Sequence, residues 1–228
     1  MNHATSNAAS SKDVAPTSGF HGRLFGFVAP VYAKLWKPIV LGTLSGGGFD
    51  KELTDILALH RPKDNEVMMD LGCGPGNFTN AFAKLAPKGF MAGLDLAYPM
   101  LQVARSNAAK DNAPNTGFAQ CNAQVLPIKR NSIDFVSFCG ALHLLPQPEL
   151  ALAEVAAILR PGGSLVGMTF VKGEWWGQRL IERFFNRFLH FRFFPYDQVQ
   201  KMFADAGLKM EGCTRARLIL LFHAKKPG

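Results

Sequence analysis

Residues 67–78 combine residue types that could bind the polar end of a nucleotide-like ligand. A short apolar run ends at Asp70, glycines follow at positions 72, 74 and 76, and an apolar-periodic segment begins at Phe78. This order predicts a strand, a tight loop and a helix. Glycine lets a ligand approach where a Cβ would collide, and the free N–H groups of a helix N-terminus favour a carboxylate or phosphate. The stretch is therefore a candidate cofactor loop, with an ordinary turn as the alternative.

The glycine spacing decides which cofactor the loop suits. A dinucleotide fingerprint, G-x-G-x-x-G, would need glycine at position 77, where the chain has Asn77. The string Asp-Leu-Gly-Cys-Gly-Pro-Gly at 70–76 instead resembles motif I of the class I S-adenosylmethionine (SAM)-dependent methyltransferases, and is among its commonest spellings. The resemblance implies that this loop contacts the methionyl portion of SAM. The implied contacts are Asp70, Gly72, Cys73, Gly74 and Gly76.

A second carboxylate, Asp95, follows the next predicted strand. It lies roughly as far past the loop as α/β nucleotide folds place a carboxylate for ribose hydroxyls. A carboxylate can accept hydrogen bonds from both hydroxyls of a ribose. Residues 94–101 resemble the methyltransferase segment in which an acidic residue does this, which implies further cofactor contacts at Leu96 and Met100. A solvated turn aspartate is the alternative interpretation.

A third segment, residues 120–127, resembles the Asp-Ala-x-x-Leu-Pro segment of the same family, with Asn122 in place of the usual aspartate. In the family that aspartate accepts a hydrogen bond from the adenine amino group. The amide oxygen of Asn122 can also accept, but without a charge. We therefore expect Asn122 and Ala123 to bind adenine, somewhat more weakly than the aspartate would. Cys139, at the end of the fourth predicted strand, is a further predicted cofactor contact.

The elements that must position these residues alternate regularly from Glu66 onward, which predicts a doubly wound parallel sheet. A Leu-x-Pro-Gly-Gly turn at 159–163 is predicted to end a helix and to begin the fifth strand at Ser164. We predict an α/β, Rossmann-like, mostly parallel seven-stranded sheet with an N-terminal helical lid and a helical insertion after strand five. The predicted strands are 67–71, 90–94, 117–121, 133–139, 164–170, 208–213 and 218–223, and the predicted helices between them include 77–85, 99–110 and 148–159.

The predicted organisation is a disordered tail at 1–19 and one methyltransferase domain at 20–228, with a lid at 20–48 and an insertion at 172–195. In the insertion, arginines recur every four residues on one predicted helix face and large apolar residues on the adjacent face. Two interpretations stay open. The helix packs its aromatics on the domain, or it caps an apolar acceptor pocket or rests on anionic lipid. The arginines are Arg179, Arg183 and Arg187, and the apolar residues are Trp176, Leu180, Phe184 and Phe188.

Two residues are candidates for catalysis. Methyl transfer from a sulfonium requires alignment, with a base only if the nucleophile carries a proton. His143 matches a histidine common after strand four in small-molecule methyltransferases, where it could contact the acceptor, act as a base, or hydrogen-bond the loop. Residues 29–32 resemble the Ala-Pro-x-Tyr string of ubiquinone/menaquinone-type C-methyltransferases, which implies a role for Tyr32, although Ala33 replaces their usual aspartate.

Composition limits the function classes. Lys and Arg outnumber Asp and Glu by 25 to 17, a net charge of +8 that suits acidic, membrane-surface or nucleic-acid partners. The Pro-Pro-aromatic string of base-amino methyltransferases is absent after strand four, which disfavours nucleic acid. The four cysteines form no C-x-x-C pair, which predicts reduced thiols and no metal site.

No uncharged apolar run of 18 residues occurs in the sequence, so no transmembrane segment is expected. We predict a cytoplasmic SAM-dependent methyltransferase that acts on a small lipophilic acceptor such as a quinone precursor, polyketide or lipid. Peripheral membrane contact is left open. The alternatives are RNA methylation and a non-catalytic SAM-binding or assembly protein on the same fold.

Overall fold

The computed structural model describes Leu44 and residues 47–228. The predicted tail at 1–19, the predicted lid apart from Leu44 and residues 47–48, and Tyr32 lie outside the described residues. Between Phe49 and Lys225 the described chain forms six α-helices and seven strands. The strands are β1 Val67–Leu71, β2 Phe90–Asp95, β3 Thr116–Gln120, β4 Ile133–Cys139, β5 Leu159–Phe170, β6 Lys209–Ala216 and β7 Ile219–Lys225. The helices are α1 Phe49–Leu59, α2 Asn77–Leu85, α3 Tyr98–Lys110, α4 Pro148–Ile158, α5 Trp176–Leu189 and α6 Tyr196–Asp205.

The seven strands form one sheet in the order β3-β2-β1-β4-β5-β7-β6. Strands β1 to β5 are parallel, while β7 runs antiparallel between β5 and β6. From β1 the chain winds first through β2 to β3 and then returns to the other side through β4 to β5. The predicted doubly wound sheet is thereby confirmed, and its topological switch point lies between β1 and β4, where such folds bind ligands at the carboxyl ends of the strands.

Helices cover both faces of the sheet, and each face has its own apolar core. Successive side chains of a strand point to opposite faces, so Met68 and Met69 of β1 enter different cores. The core that contains Met69 includes buried residues of α4 and α6. The core that contains Met68 includes Phe82 of α2 and Ile56 of α1. The two cores therefore enclose β1 between them, and the carboxyl end of β1 carries the glycine loop.

Strand β5 begins earlier than predicted. It starts at Leu159, which pairs with Ile133, and the register then jumps so that Ser164 pairs with Phe135. The expected Pro-Gly-Gly turn is therefore a bulge within the strand, with Gly162 at φ +79°. Arg160 in the bulge forms an ion pair with Asp134 of β4, and this contact keeps the bulged segment beside its neighbour.

Helix α5 does not pack its aromatic stripe on the domain. Trp176, Leu180, Phe184 and Phe188 are 74%, 55%, 55% and 61% exposed. The residue that α5 buries is Phe185, with Ile181 half-buried beside it. The interpretation in which the four stripe residues pack on the core is therefore wrong, because the helix is rotated so that a neighbouring face meets the domain.

Candidate functional site

The predicted cofactor loop lies at the switch point of the sheet. Residues 72–76 connect β1 to α2, beside the loop that follows β4. Three glycines in this loop, Gly72, Gly74 and Gly76, have φ values of +65°, +52° and +82°. Side chains with a Cβ rarely adopt this left-handed conformation, which explains the alternating glycines. The backbone can therefore make a tight passage from the strand into the N-terminus of α2.

The three glycines meet different surroundings. A Cβ at Gly72 would lie 2.3 Å from the Cβ of Ala141, and one at Gly76 would lie 3.1 Å from the Cβ of Ala104. A Cβ at Gly74 would meet nothing within 4 Å. Gly72 and Gly76 are thus required by the packing of neighbouring elements, whereas Gly74 faces open space. Of the three, Gly74 is the position at which a ligand could approach the backbone.

Asp95 lies at the end of β2 and is bonded directly to the glycine loop. Its Oδ2 accepts a hydrogen bond from Gly74 N at 2.8 Å, and its Oδ1 accepts one from Ala97 N at 2.8 Å. Burial raises the pKa of the Asp95 carboxyl, while backbone N–H groups, including those of Gly74 and Ala97, partly counteract the shift. A carboxylate has roughly four acceptor positions, so Asp95 retains capacity for a ligand hydroxyl. The predicted ribose-binding residue therefore also fixes the loop.

Asp70, the other predicted acidic contact, is buried at the end of β1 with 1% exposure. Its Oδ2 accepts a hydrogen bond from Thr79 Oγ1 at 2.6 Å. Thr79 belongs to the first turns of α2, so the contact ties the strand before the loop to the helix after it. The geometry gives Asp70 a clear positioning function for the loop.

The remaining predicted cofactor residues surround the same crevice at different depths. Leu96 is exposed beside Asp95, whereas Met100 is buried in the first turn of α3. The Asn122 side chain accepts a hydrogen bond from Gln124 N at 3.0 Å through Oδ1, which closes a local turn and leaves one acceptor position on that oxygen. Ala123 lies half-buried in the same turn. All follow the carboxyl ends of β2 and β3, neighbouring strands of the sheet.

Two cysteines lie near the crevice. Cys73 is buried within the loop, and burial, followed by the negative charges of Asp70 and Asp95, raises the pKa of its thiol. Cys73 is therefore an uncharged side chain at neutral pH and a poor nucleophile. Cys139, half-buried at the end of β4, accepts a hydrogen bond from Ser137 Oγ at 3.3 Å. Both thiols thus present apolar, polarizable surface near the switch point.

His143 lies in a short 3₁₀ turn after β4 and is surrounded by aromatic rings. Its ring is 2% exposed and stacks on Phe170 of β5, with centroids 3.6 Å apart. Phe191 packs edge-on at 5.3 Å. The carbonyl oxygen of His143 accepts a hydrogen bond from Arg192 N at 3.3 Å. The ring therefore packs the post-β4 loop against the segment that follows α5.

Sequence reasoning missed several residues that hold the site together. Asn107 Nδ2 of α3 donates to the Pro75 carbonyl in the glycine loop at 3.0 Å. Arg192 donates through Nη1 to the carbonyls of Leu145 and Pro146, at 3.0 and 2.9 Å, and so supports the loop after β4. These contacts join residues that are distant in sequence, so no local sequence pattern predicts them. Thr79 could have been suspected, because its position in the first turns of α2 follows directly from the glycine loop.

The residues present fit SAM. The open space at Gly74 leaves room for a ligand beside the backbone, and the N-terminus of α2 favours a carboxylate. Asp95 can still accept a hydrogen bond from a ligand hydroxyl, and it lies at the end of β2, which β1 separates from β4 and the loop after it. Within the described residues, no group of three or more His, Cys, Asp or Glu side chains could hold a metal ion. The same described part contains no helix long and apolar enough to cross a membrane.

Comparison with known proteins gives a consistent family assignment. Residues 62–189, more than half of the chain, match a family described as a methyltransferase domain. The chain is 29% identical over 209 residues to a demethylmenaquinone methyltransferase of Lactiplantibacillus plantarum, covering 82% of this chain and 86% of that protein. It is 36% identical over 107 residues to the ubiquinone/menaquinone biosynthesis C-methyltransferase UbiE of Hahella chejuensis, covering 46% of this chain and 43% of that protein.

The fold has close counterparts among solved structures. The [4+2]-cyclase SpnF superposes with a TM-score of 0.73 at 18% identity, covering 94% of this chain and 97% of that one. At this identity the similarity establishes the fold alone. The chain spans about half the length of several curated relatives that it matches, between 40% and 53%.

Proposed function

Because this chain belongs to the class I SAM-dependent methyltransferases, we propose that it transfers a methyl group from SAM to a small lipophilic acceptor. The observation that carries the proposal is the contact between Asp95 and the backbone of Gly74 at the switch point of the sheet. It joins the predicted ribose-binding carboxylate to the predicted methionyl-binding loop, so one unit can hold both the methionyl and the ribose portions of the cofactor. When bound, SAM supplies an electrophilic methyl carbon on a sulfonium.

The chain's own residues orient and shield that cofactor. Gly74 offers its open backbone to the methionyl portion, and the N-terminus of α2 attracts its carboxylate. Asp95 accepts hydrogen bonds from the ribose, and Asn122 with Ala123 borders the adenine. Asp70 keeps the strand and helix on either side of the loop in register through Thr79. Such preorganisation aligns the reacting atoms, which is the main requirement of this displacement.

The acceptor half of the site is proposed to be apolar. Behind the segment after β4, Phe170 at the end of β5 meets Phe191 and Phe193, which follow α5, in a buried cluster of aromatic rings. This cluster backs the proposed acceptor side with apolar side chains, which favours a lipophilic acceptor over a charged one. His143 lies within the cluster, where its packing supports a positioning role for the loop; the base role remains a prediction, as does the role of Tyr32. The named quinone C-methyltransferases among the relatives support a quinone precursor as the first acceptor to test.

The test is methyl transfer from labelled SAM to a panel of quinols, phenols, fatty acids and amines. We expect label in a lipophilic quinol or phenol, together with formation of S-adenosylhomocysteine. The Gly74→Arg variant, which should not bind SAM, is the control for enzymatic transfer. Label confined to amines or to added RNA would contradict the proposed acceptor class.

The two alternatives predict different results in the same assay. RNA methylation requires label in RNA, and retention on RNA that weakens steeply as salt is raised. A protein that uses the fold without methyl transfer would bind SAM without turnover on any acceptor. Fold alone does not distinguish these activities, since the fold of the cyclase SpnF is shared.

A further inference from the structure

The exposed apolar stripe of α5 is the feature of the surface that the proposed function leaves unused. Trp176, Leu180, Phe184 and Phe188 are spaced four residues apart, and their side chains are all more than half exposed. Over these three helical turns the stripe is about 18 Å long. The rings of Phe184 and Phe188 contact each other, with centroids 5.0 Å apart. A contiguous row of large apolar side chains in water marks an interaction surface.

Arginines border this stripe along one side. Arg179, Arg183 and Arg187 recur on the adjacent helix face and are all exposed. Arg179 and Arg183 also line a cleft of about 420 Å³ together with Lys172, Gly173 and Glu182. The Glu182 carboxylate accepts the Gly173 N–H at 3.2 Å, and the cleft has three cationic side chains against this single carboxylate. A phosphate group suits such a cleft, since guanidinium groups bind phosphate oxygens in pairs.

We propose that α5 docks the protein on a bilayer surface that contains anionic phospholipid. The apolar stripe lies at the boundary between headgroups and acyl chains, and the arginine row with the Lys172 cleft contacts lipid phosphates. A helix with aromatic and leucine residues on one face and arginines beside them has the composition of an interfacial helix. Charge complementarity decides the occupant, because a second copy of this face would bring two arginine rows together, whereas anionic lipid neutralises them.

The docking surface is connected to the candidate site. Helix α5 follows β5 at the carboxyl edge of the sheet, the edge that carries the glycine loop. Its buried residue Phe185 stacks on Phe191, with centroids 5.8 Å apart, and Phe191 contacts His143. A protein docked through α5 therefore holds its acceptor half close to the bilayer. The purpose of docking rests on the proposed lipophilic acceptor, but binding itself requires neither SAM nor acceptor.

The test is sedimentation of the full chain with vesicles, without SAM. Vesicles of phosphatidylcholine alone are compared with vesicles that also contain phosphatidylglycerol. We expect binding to the anionic vesicles only, weakened by added salt. The double variants F184S/F188S and R179Q/R183Q should each bind at least about tenfold more weakly, since each removes two membrane-contacting groups. The controls are Phe90→Ser and R61Q/R130Q, at exposed positions near the amino ends of the strands, and these variants should bind as the unaltered chain does.

Several results would overturn the proposal: no binding of the unaltered chain to anionic vesicles, equal binding to both vesicle types, or α5 variants that bind as well as the controls. An unaltered chain that is dimeric, and becomes monomeric in F184S/F188S, would assign the face to a second copy. Retention on RNA without vesicle binding would assign the arginines to nucleic acid. SAM affinity, measured by calorimetry on the unaltered chain and on the same variants, separates the outcomes. An unaltered chain that binds SAM but does not dock removes only this inference, whereas an unaltered chain that docks but does not bind SAM removes the proposed function.

Discussion

The glycine loop with Asp95 and the helix α5 both lie at the carboxyl ends of the parallel strands, but they differ in which side chains are buried and which are exposed. In the loop, polar groups are buried and their hydrogen bonds are made within the protein, as Asp95 bonds to Gly74 and Asp70 to Thr79. In α5, large apolar side chains remain in water, and arginines border them along one side. The loop is thus prepared to hold one small ligand in a fixed geometry. The helix offers a broad surface on which the apolar side chains are exposed.

Because of this difference, the cofactor half and the acceptor half of the site should respond to mutation in different ways. Substitutions in the loop region should change SAM binding and leave the rest of the protein folded. Substitutions in the aromatic cluster behind α5 should change stability or turnover and leave SAM binding nearly intact.

The largest effect is expected from Gly74→Arg. A side chain at this position enters open space instead of colliding with protein atoms, so the domain should stay folded despite a backbone strain of about 1–3 kcal/mol at positive φ. The arginine should occupy the space predicted for the methionyl portion and abolish SAM binding. Calorimetric titration measures the binding, and circular dichroism checks the fold. An unchanged affinity would refute the assignment of the loop.

The next effect concerns His143 on the acceptor side. Replacement by alanine removes a ring packed between Phe170 and Phe191 and should lower the free energy of unfolding by about 2–4 kcal/mol. Replacement by phenylalanine keeps the ring and should restore most of that stability. If His143 positions the loop, His143→Phe retains turnover, whereas loss of turnover in a stable His143→Phe protein would identify it as a base or as an acceptor contact. SAM affinity of His143→Phe should match that of the unaltered protein, and a large loss would break the separation of the two halves.

Asp95 should show a moderate effect on binding. Asp95→Ala should weaken SAM binding by roughly 1–3 kcal/mol, the scale of lost hydrogen bonds to a charged group. Because burial raises the pKa of the carboxyl above its ordinary value, SAM affinity of the unaltered protein should fall as the pH is lowered toward that raised pKa. Asp95→Asn, which keeps the shape without the charge, should remove this pH dependence. A pH profile that is the same in Asp95→Asn would assign the dependence to another group.

The smallest effect is expected at a place that belongs to neither half. His223 of β7 stacks on His60, with ring centroids 4.4 Å apart. Burial, followed by the charges of His60 and Lys225, lowers the pKa of His223 to about 4. An unfolded histidine has a pKa of about 6.5, so the unfolded state binds more protons between these values. Stability from this group is therefore complete above about pH 6.5 and is lost as the pH falls toward 4.

The variant His223→Phe tests this pH window. It should lose less stability between pH 6.5 and 4 than the unaltered protein, as measured by urea unfolding at several pH values. Part of the pH dependence of unfolding free energy that remains in the variant should come from His60, whose pKa is also lowered by burial. An equal loss of unfolding free energy with falling pH in the two proteins would show that acid destabilisation arises elsewhere. SAM binding at neutral pH should be unaffected, because the pair lies outside the cofactor region.

Much of the cofactor half was predictable because its requirements are local. The bounds of β1, α2 and β4 agree with the prediction, since the glycines, the strand run and the helix N-terminus follow one another in the chain. The bulge in β5 was not predictable from its Pro-Gly-Gly string, because the same residues permit a turn or a bulge. The bulge forms because β5 pairs with β4 on both sides of this string, and because Arg160 forms an ion pair with Asp134 of β4.

The sequence by itself determined the family, the doubly wound sheet and the glycine loop, because backbone freedom and alternating apolar segments are properties of adjacent residues. Only the tertiary structure decided which face of α5 meets the domain. The helix carries apolar residues over most of its circumference. Phe185 is the one that is buried, because its ring stacks on Phe191, while Phe184 and Phe188 stay exposed. The tertiary structure likewise brings Asp95 into hydrogen-bonding contact with Gly74, 21 positions away along the chain. Such contacts arise only when neighbouring strands bring their carboxyl ends together at one edge of the sheet.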